Sequence, residues 1–186
     1  MPTGAILDPT KTYRYSLWRE WDSRAPRVGF VMLNPSRADA SVDDPTLRRC
    51  LGFARSWGYG SLEVVNLFAY RTPNPYELCQ VADPIGIEND FYLASLNQRV
   101  QQIILAWGNW GTLYNRNQAA IALLATQEVY CLGLTKLGNV KHPLYLKRDT
   151  KPVAFSIAIA SLIRTEDSRG SGGVAPSQGF HPCTLS

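Results

Sequence analysis

Val28-Gly29-Phe30-Val31-Met32-Leu33, closed by Asn34-Pro35-Ser36, is the stretch on which the reading of this chain turns. It is a strand-like apolar run that stops at a polar turn, because Pro35 has no N–H to donate and pushes Asn34 out of helical geometry. Three later runs repeat the pattern: Leu62-Glu63-Val64-Val65 before Asn66, Ile103-Ile104-Leu105-Ala106-Trp107 before Gly108-Asn109, and Val129-Tyr130-Cys131-Leu132 before Gly133-Leu134-Thr135. Near-continuous apolar strands belong to parallel sheets covered by helices, and ligands bind such sheets outside the carboxyl ends of the strands. One cleft shared by these four strand ends is therefore expected.

Outward from these runs the chain alternates between elements. Tyr13-Arg14-Tyr15-Ser16-Leu17-Trp18 alternates as a half-buried strand does, and Ser23-Arg24-Ala25-Pro26 turns the chain into the next strand. A helix with readable ends follows, with Asp44 as N-cap, Pro45 at its first position and Gly58 past its last turn. Leu47, Cys50, Leu51, Ala54 and Trp57 form its buried stripe, so Arg48 and Arg55 point outward with Arg49 beside them. That face reads as solvated rather than phosphate-binding. Pro73 and Pro75 mark a loop, and Asp83-Pro84-Ile85-Gly86 separates a short helix at 76–81 from a longer one at 87–100. Further helices are expected at 118–124 and, after Pro152, at 154–163. Residues 165–186 are rich in Gly, Ser and Pro and read as a disordered tail behind a single domain at 1–164. The sum is an α/β fold, a three-layer sandwich with a mostly parallel central sheet.

Composition fits that reading. The 186 residues are 45% apolar and 11% aromatic, enough to bury a core without metals or cross-links. The formal charge of +4 is compatible with a polyanionic partner without requiring one. Cys50, Cys79, Cys131 and Cys183 are scattered and His142 and His181 are the only histidines, so neither a zinc site nor a disulfide is expected. Cys50 and Cys131 sit in apolar patterns and read as buried thiols in a reducing compartment. Met1-Pro2-Thr3-Gly4 has no leader pattern and no run approaches membrane-spanning length, so a cytoplasmic protein with no membrane partner is expected.

The strand ends supply the candidate site. Asn34 is either a turn-former or an amide that positions a water or a ligand edge. Asn66 interrupts an apolar stretch, so its amide must find partners, in the backbone or in a substrate. His142 in Lys141-His142-Pro143-Leu144-Tyr145 follows the last strand end, with Pro143 fixing the backbone beside it. Asp44 has a capping job, which leaves Asp39 and Asp43 for acid or base work. His181 and Cys183 fall in the tail and are poor candidates.

These residues carry two resemblances. The blocks Leu33-Asn34-Pro35-Ser36, Asp43-Asp44-Pro45-Thr46, Asn66-Leu67-Phe68-Ala69, Ala106-Trp107-Gly108 and His142-Pro143-Leu144-Tyr145-Leu146 resemble those of the bacterial domain-of-unknown-function family 1643. More distantly, the same blocks in the same order resemble the uracil-DNA glycosylase superfamily. That second resemblance implies a glycosylase-like fold in which Asn34 handles the attacking water, Asn66 reads the flipped base and His142 stabilises the departing base. It also implies that Trp107-Gly108 ends a framing strand.

Cleaving an N-glycosidic bond builds positive charge on the sugar and negative charge on the base, so such a site needs a placed water and a donor aimed at the base. Asn34 and His142 match these needs. Asn66 and Ser36 would then bind substrate, with Phe68 or Tyr70 available for stacking. No phosphate-loop or dinucleotide fingerprint occurs, so no cofactor and no metal are expected. The expected partner is a nucleobase-containing ligand, in DNA or RNA or as a free nucleoside or nucleotide. Lys136, Lys141, Lys147 and Arg148, with Arg37 from the Asn34 loop, would then neutralise phosphates or simply solubilise the loops. Two alternatives stay open: a non-catalytic nucleotide or nucleic-acid binding module on the same fold, and a different hydrolase using Asp39 or Asp43.

Overall fold

The computed structural model describes residues 2–36, 38–156 and Cys183. Seven strands form one sheet: β1 (Thr3–Leu7), β2 (Arg14–Glu20), β3 (Arg27–Met32), β4 (Ser61–Asn66), β5 (Gln102–Leu105), β6 (Val129–Cys131) and β7 (Val153–Phe155). Their order across the sheet is β1-β2-β4-β3-β5-β6-β7. The apolar runs make the centre, where β4 pairs with β3, β3 with β5 and β5 with β6, all parallel. The flanks differ from expectation, since β1–β2, β2–β4 and β6–β7 are antiparallel, so the sheet is only half parallel.

Alternation along the central strands divides the core. Val28, Phe30 and Met32 of β3, with Leu62 and Val64 of β4, face α1 (Pro45–Ser56). Val31 and Leu33, with Val65 and Leu67, face the opposite side. The first turn of α1 is fixed as its sequence predicts, for the Asp44 carboxylate accepts from the Leu47 N–H at 2.7 Å and Pro45 needs no partner for a missing donor. Leu47, Cys50, Leu51, Phe53 and Ala54 are buried against the sheet. Trp57 closes the helix, its ring stacked on Phe53 and Phe30 with centroids 5.4 and 6.1 Å away. Burying aromatic side chains of this size contributes roughly 1.5–3 kcal/mol each, so this cluster is what holds α1 down.

The other face carries less helix than the spacing predicts. In place of a helix at 87–100 there is α2 (Asn89–Ala94) followed by a 3₁₀ turn, Leu96–Gln98. The break lies at Ser95, whose carbonyl accepts from the Gln98 N–H (3.1 Å) and the Arg99 guanidinium (2.9 Å), bonds that compete with the next α-helical one. The short helix expected at 76–81 is a 3₁₀ turn, Pro75–Cys79, capped by Asn74. The helix expected at 118–124 is α3 (Arg116–Leu123). The closing helix expected from 154 is corrected at its start, because Val153–Phe155 pairs with β6 as an edge strand; residues 157–163 lie outside the described residues.

Of the expected tail only Cys183 is described, and it corrects the expectation of no disulfide: it is bonded to Cys79, with Cα atoms 6.0 Å apart. A partner 104 positions away leaves no local spacing signal. Cys50 and Cys131 are free and buried, as their apolar surroundings predict. Among the described residues no helix is long and apolar enough to cross a membrane.

Candidate functional site

The carboxyl ends of β3, β4 and β5 open into a cavity of about 870 Å³. Backbone bonds hold these ends in register. The Leu67 and Phe68 N–H groups donate to the Met32 and Leu33 carbonyls, Ala106 N–H to Val31, and Gly108 N–H to Val140 at 3.1 Å, which brings in the His142 loop. Gly108 has φ near 75°, a conformation that a side chain resists, and this lets the chain turn directly after Trp107. A Cβ at Gly111 would overlap the Trp107 ring, so the following turn lies directly on that indole.

Asn34, Asn66 and His142 line this one cavity. The Asn34 amide nitrogen donates to the carbonyls of Thr72 (2.8 Å) and Pro35 (3.1 Å), which fixes the side chain and leaves its oxygen as the acceptor. Asn66 is 1% exposed, and its amide nitrogen and oxygen are both buried with no hydrogen-bond partner. Leaving such groups unpaired costs about 1–3 kcal/mol of desolvation, a cost that a ligand's matching edge would offset. His142 caps the turn Pro143–Tyr145, its Nδ1 accepting from the Leu144 N–H at 3.3 Å. The neutral ring therefore carries its proton on Nε2. Burial lowers the His142 pKa, opposed by the charge of Asp44, so the ring is neutral at pH 7.

The remaining candidates divide. Ser36 and Lys141 line the cavity. Asp39 does not; its carboxylate accepts from the Ser41 and Val42 N–H groups, and these bonds, Ser41's first, hold its pKa down. Asp43 pairs with buried Arg19 at 2.8 Å, also away from the lining. Phe68 is fully buried in the core on the far face, and Tyr70 packs edge-on against Tyr13, so neither offers a stacking surface in the cavity. Lys136, Lys147 and Arg148 are exposed outside the lining. Arg37 and His181 lie outside the described residues. Of the outward arginines, Arg48 donates to the Asp43 carbonyl at 2.6 Å, Arg55 covers the Trp21 ring, and Arg49 reaches the Leu146 carbonyl, tying α1 to the His142 loop.

Four lining residues were given no site role by the sequence reading. Asp44 lines the cavity besides capping α1. Trp107 and Trp110 supply its aromatic wall, with Trp110 held edge-on by Tyr76. Arg14 enters because β2 runs antiparallel to β4, so that its first residue, not its last, reaches the carboxyl edge, where Arg14 N–H donates to the Ala69 carbonyl. Strand direction was the missing signal.

The sequence model of the family described as "Protein of unknown function (DUF1643)" matches residues 14–144, and the chain belongs to this family. No curated protein and no solved structure matches it.

Proposed function

We propose that this family member binds a nucleobase in the cavity and hydrolyses its N-glycosidic bond. The observation that carries the reading is Asn66, a buried amide with an unpaired donor and an unpaired acceptor, on the wall shared by Asn34 and His142. A nucleobase edge presents the complementary donor and acceptor, and the likeness of Leu33-Asn34-Pro35, Asn66, Trp107-Gly108 and His142-Pro143 to four ordered motifs of the uracil-DNA glycosylase superfamily supports the same assignment and the same kind of fold.

In this reading Asn34 Oδ1 accepts a hydrogen bond from a water whose oxygen attacks the anomeric carbon. The carbon–nitrogen bond breaks and its electron pair leaves with the base, while His142 Nε2–H donates to the base oxygen on which the charge collects. The water's proton passes to solvent and the base is protonated after it departs. Donors aimed at developing charge in a partly dry site contribute roughly 10²- to 10³-fold in rate. A non-catalytic binder is the second reading, favoured by one observation: Asn34 offers only an amide oxygen, a poor base, while the Asp39 and Asp43 carboxylates are engaged elsewhere and Asp44, the carboxylate in the lining, caps α1. Incubation with modified-base oligonucleotides, nucleosides and nucleotides, read by mass spectrometry for free base, separates the two. Base release lost in Asn34→Ala and His142→Ala supports hydrolysis; binding without release from any substrate supports the binder.

A further inference from the structure

The charged wall of the cavity carries an inference that rests on this nucleobase reading and narrows its substrate. Arg14 lines the cavity at 4% exposure; its Nη1 donates to the Ala38 carbonyl, and its Nε is buried with no hydrogen-bond partner. Lys141 lines the same space, and one carboxylate, Asp44, stands against these two cations with an oxygen already committed to the Leu47 N–H. A guanidinium held out of water with an unused donor is costly unless an anion completes it, and its planar fork suits phosphate oxygens.

The position of this cation distinguishes between sources of phosphate. The phosphates of a strand run along a surface and are met by exposed lysines and arginines. Arg14 is instead part of the wall of a cavity of about 870 Å³, within the range of sites that enclose a whole small ligand, roughly 300–1,000 Å³. Pro73, Pro75, Trp110 and Tyr145 add apolar and aromatic lining to the same cavity. We infer that the ligand is a free nucleoside monophosphate, its phosphate held by Arg14 and Lys141 and its base by Asn66.

Calorimetric titration of the full chain with the common ribo- and deoxyribonucleoside 5′-monophosphates, their nucleosides, ribose 5-phosphate, inorganic phosphate and single-stranded oligonucleotides tests this. At least one monophosphate is expected to bind roughly 10- to 100-fold tighter than its nucleoside, an advantage lost in Arg14→Gln and partly kept in Arg14→Lys. Should Arg14→Gln fail to fold, the ratio in the unaltered protein and its decrease in Lys141→Gln decide. Equal affinity for nucleotide and nucleoside, binding of oligonucleotides alone, or no binding at all would overturn the inference. Arg14-dependent binding of ribose 5-phosphate to which no base adds affinity would uphold the phosphate site and overturn the nucleobase reading. Base release from uncharged nucleosides as fast as from nucleotides would do the reverse.

Discussion

The Asn89 side chain reaches under the end of β4 and donates to the Asn66 carbonyl at 3.0 Å, with a second bond to Leu67 at 2.9 Å. Asn66 is thus presented by a backbone that is itself held from the opposite core, where Arg116 also donates to the Leu67 carbonyl at 3.0 Å. Asn89→Leu leaves the Asn66 carbonyl without this donor and should destabilise the fold by about 1–3 kcal/mol, measured by urea unfolding. It should also weaken ligand binding although Asn89 does not line the cavity. Unchanged affinity in a folded Asn89→Leu protein would show that Asn66 needs no such support.

Asn66 itself should trade stability against function. Asn66→Leu replaces an unpaired buried amide with an apolar group of similar size, so the folded state should be as stable or more so, by about 1 kcal/mol, while ligand binding is lost. A loss of stability above that size would mean that the amide has a partner in solution.

His142 sets the pH behaviour. Its folded pKa lies below the unfolded value near 6.5 because burial disfavours the imidazolium. The unfolded chain therefore takes up the proton first on acidification. The stability contributed by the neutral ring is full above pH 6.5 and declines as the pH falls from there through the folded pKa. Base release should fall in the same acid range, since protonation ends the acceptor role of Nδ1 toward Leu144. Comparing unfolding midpoints and rates of the wild type with His142→Gln across this range checks both; parallel profiles would remove His142 as the titrating group.

Gly111→Ala should displace the Trp107 indole, because a Cβ there overlaps the ring. Overpacking of this kind costs about 1–3 kcal/mol. Tryptophan fluorescence should shift and ligand affinity fall; an unperturbed spectrum would show that the turn moves instead of the ring.

What was legible in the sequence follows from which forces act locally. The central strands announce themselves because a strand covered on both faces must be apolar throughout, and α1 because Asp44, Pro45 and Gly58 satisfy its ends within its own neighbourhood. β1 and β7 do not, being short edges with half-exposed or exposed side chains that carry no pattern. Asn34, Asn66 and His142 fall together because each sits at or beyond a strand end along one edge of the sheet. Phe68 departs from the expected stacking position because the chain leaves β4 after Asn66, and the bonds of Leu67 and Phe68 to Met32 and Leu33 swing both side chains into the far core. The engagement of Asp39 and Asp43 is invisible in the sequence because their partners, the Ser41 and Val42 amides and the Arg19 side chain, are set by loop geometry and a distant strand.

The strand order also dictates how the chain must be protected while it is made. β5 occupies an interior place in the sheet, yet its outer neighbour β6 comes more than twenty residues later and β7 later still. During synthesis, therefore, the row Ile103-Ile104-Leu105 stands as an uncapped apolar border, open to pairing with other nascent chains. The cavity closes later still, since Val140 and Leu146, which receive Gly108 and Arg49, follow β6 in the chain.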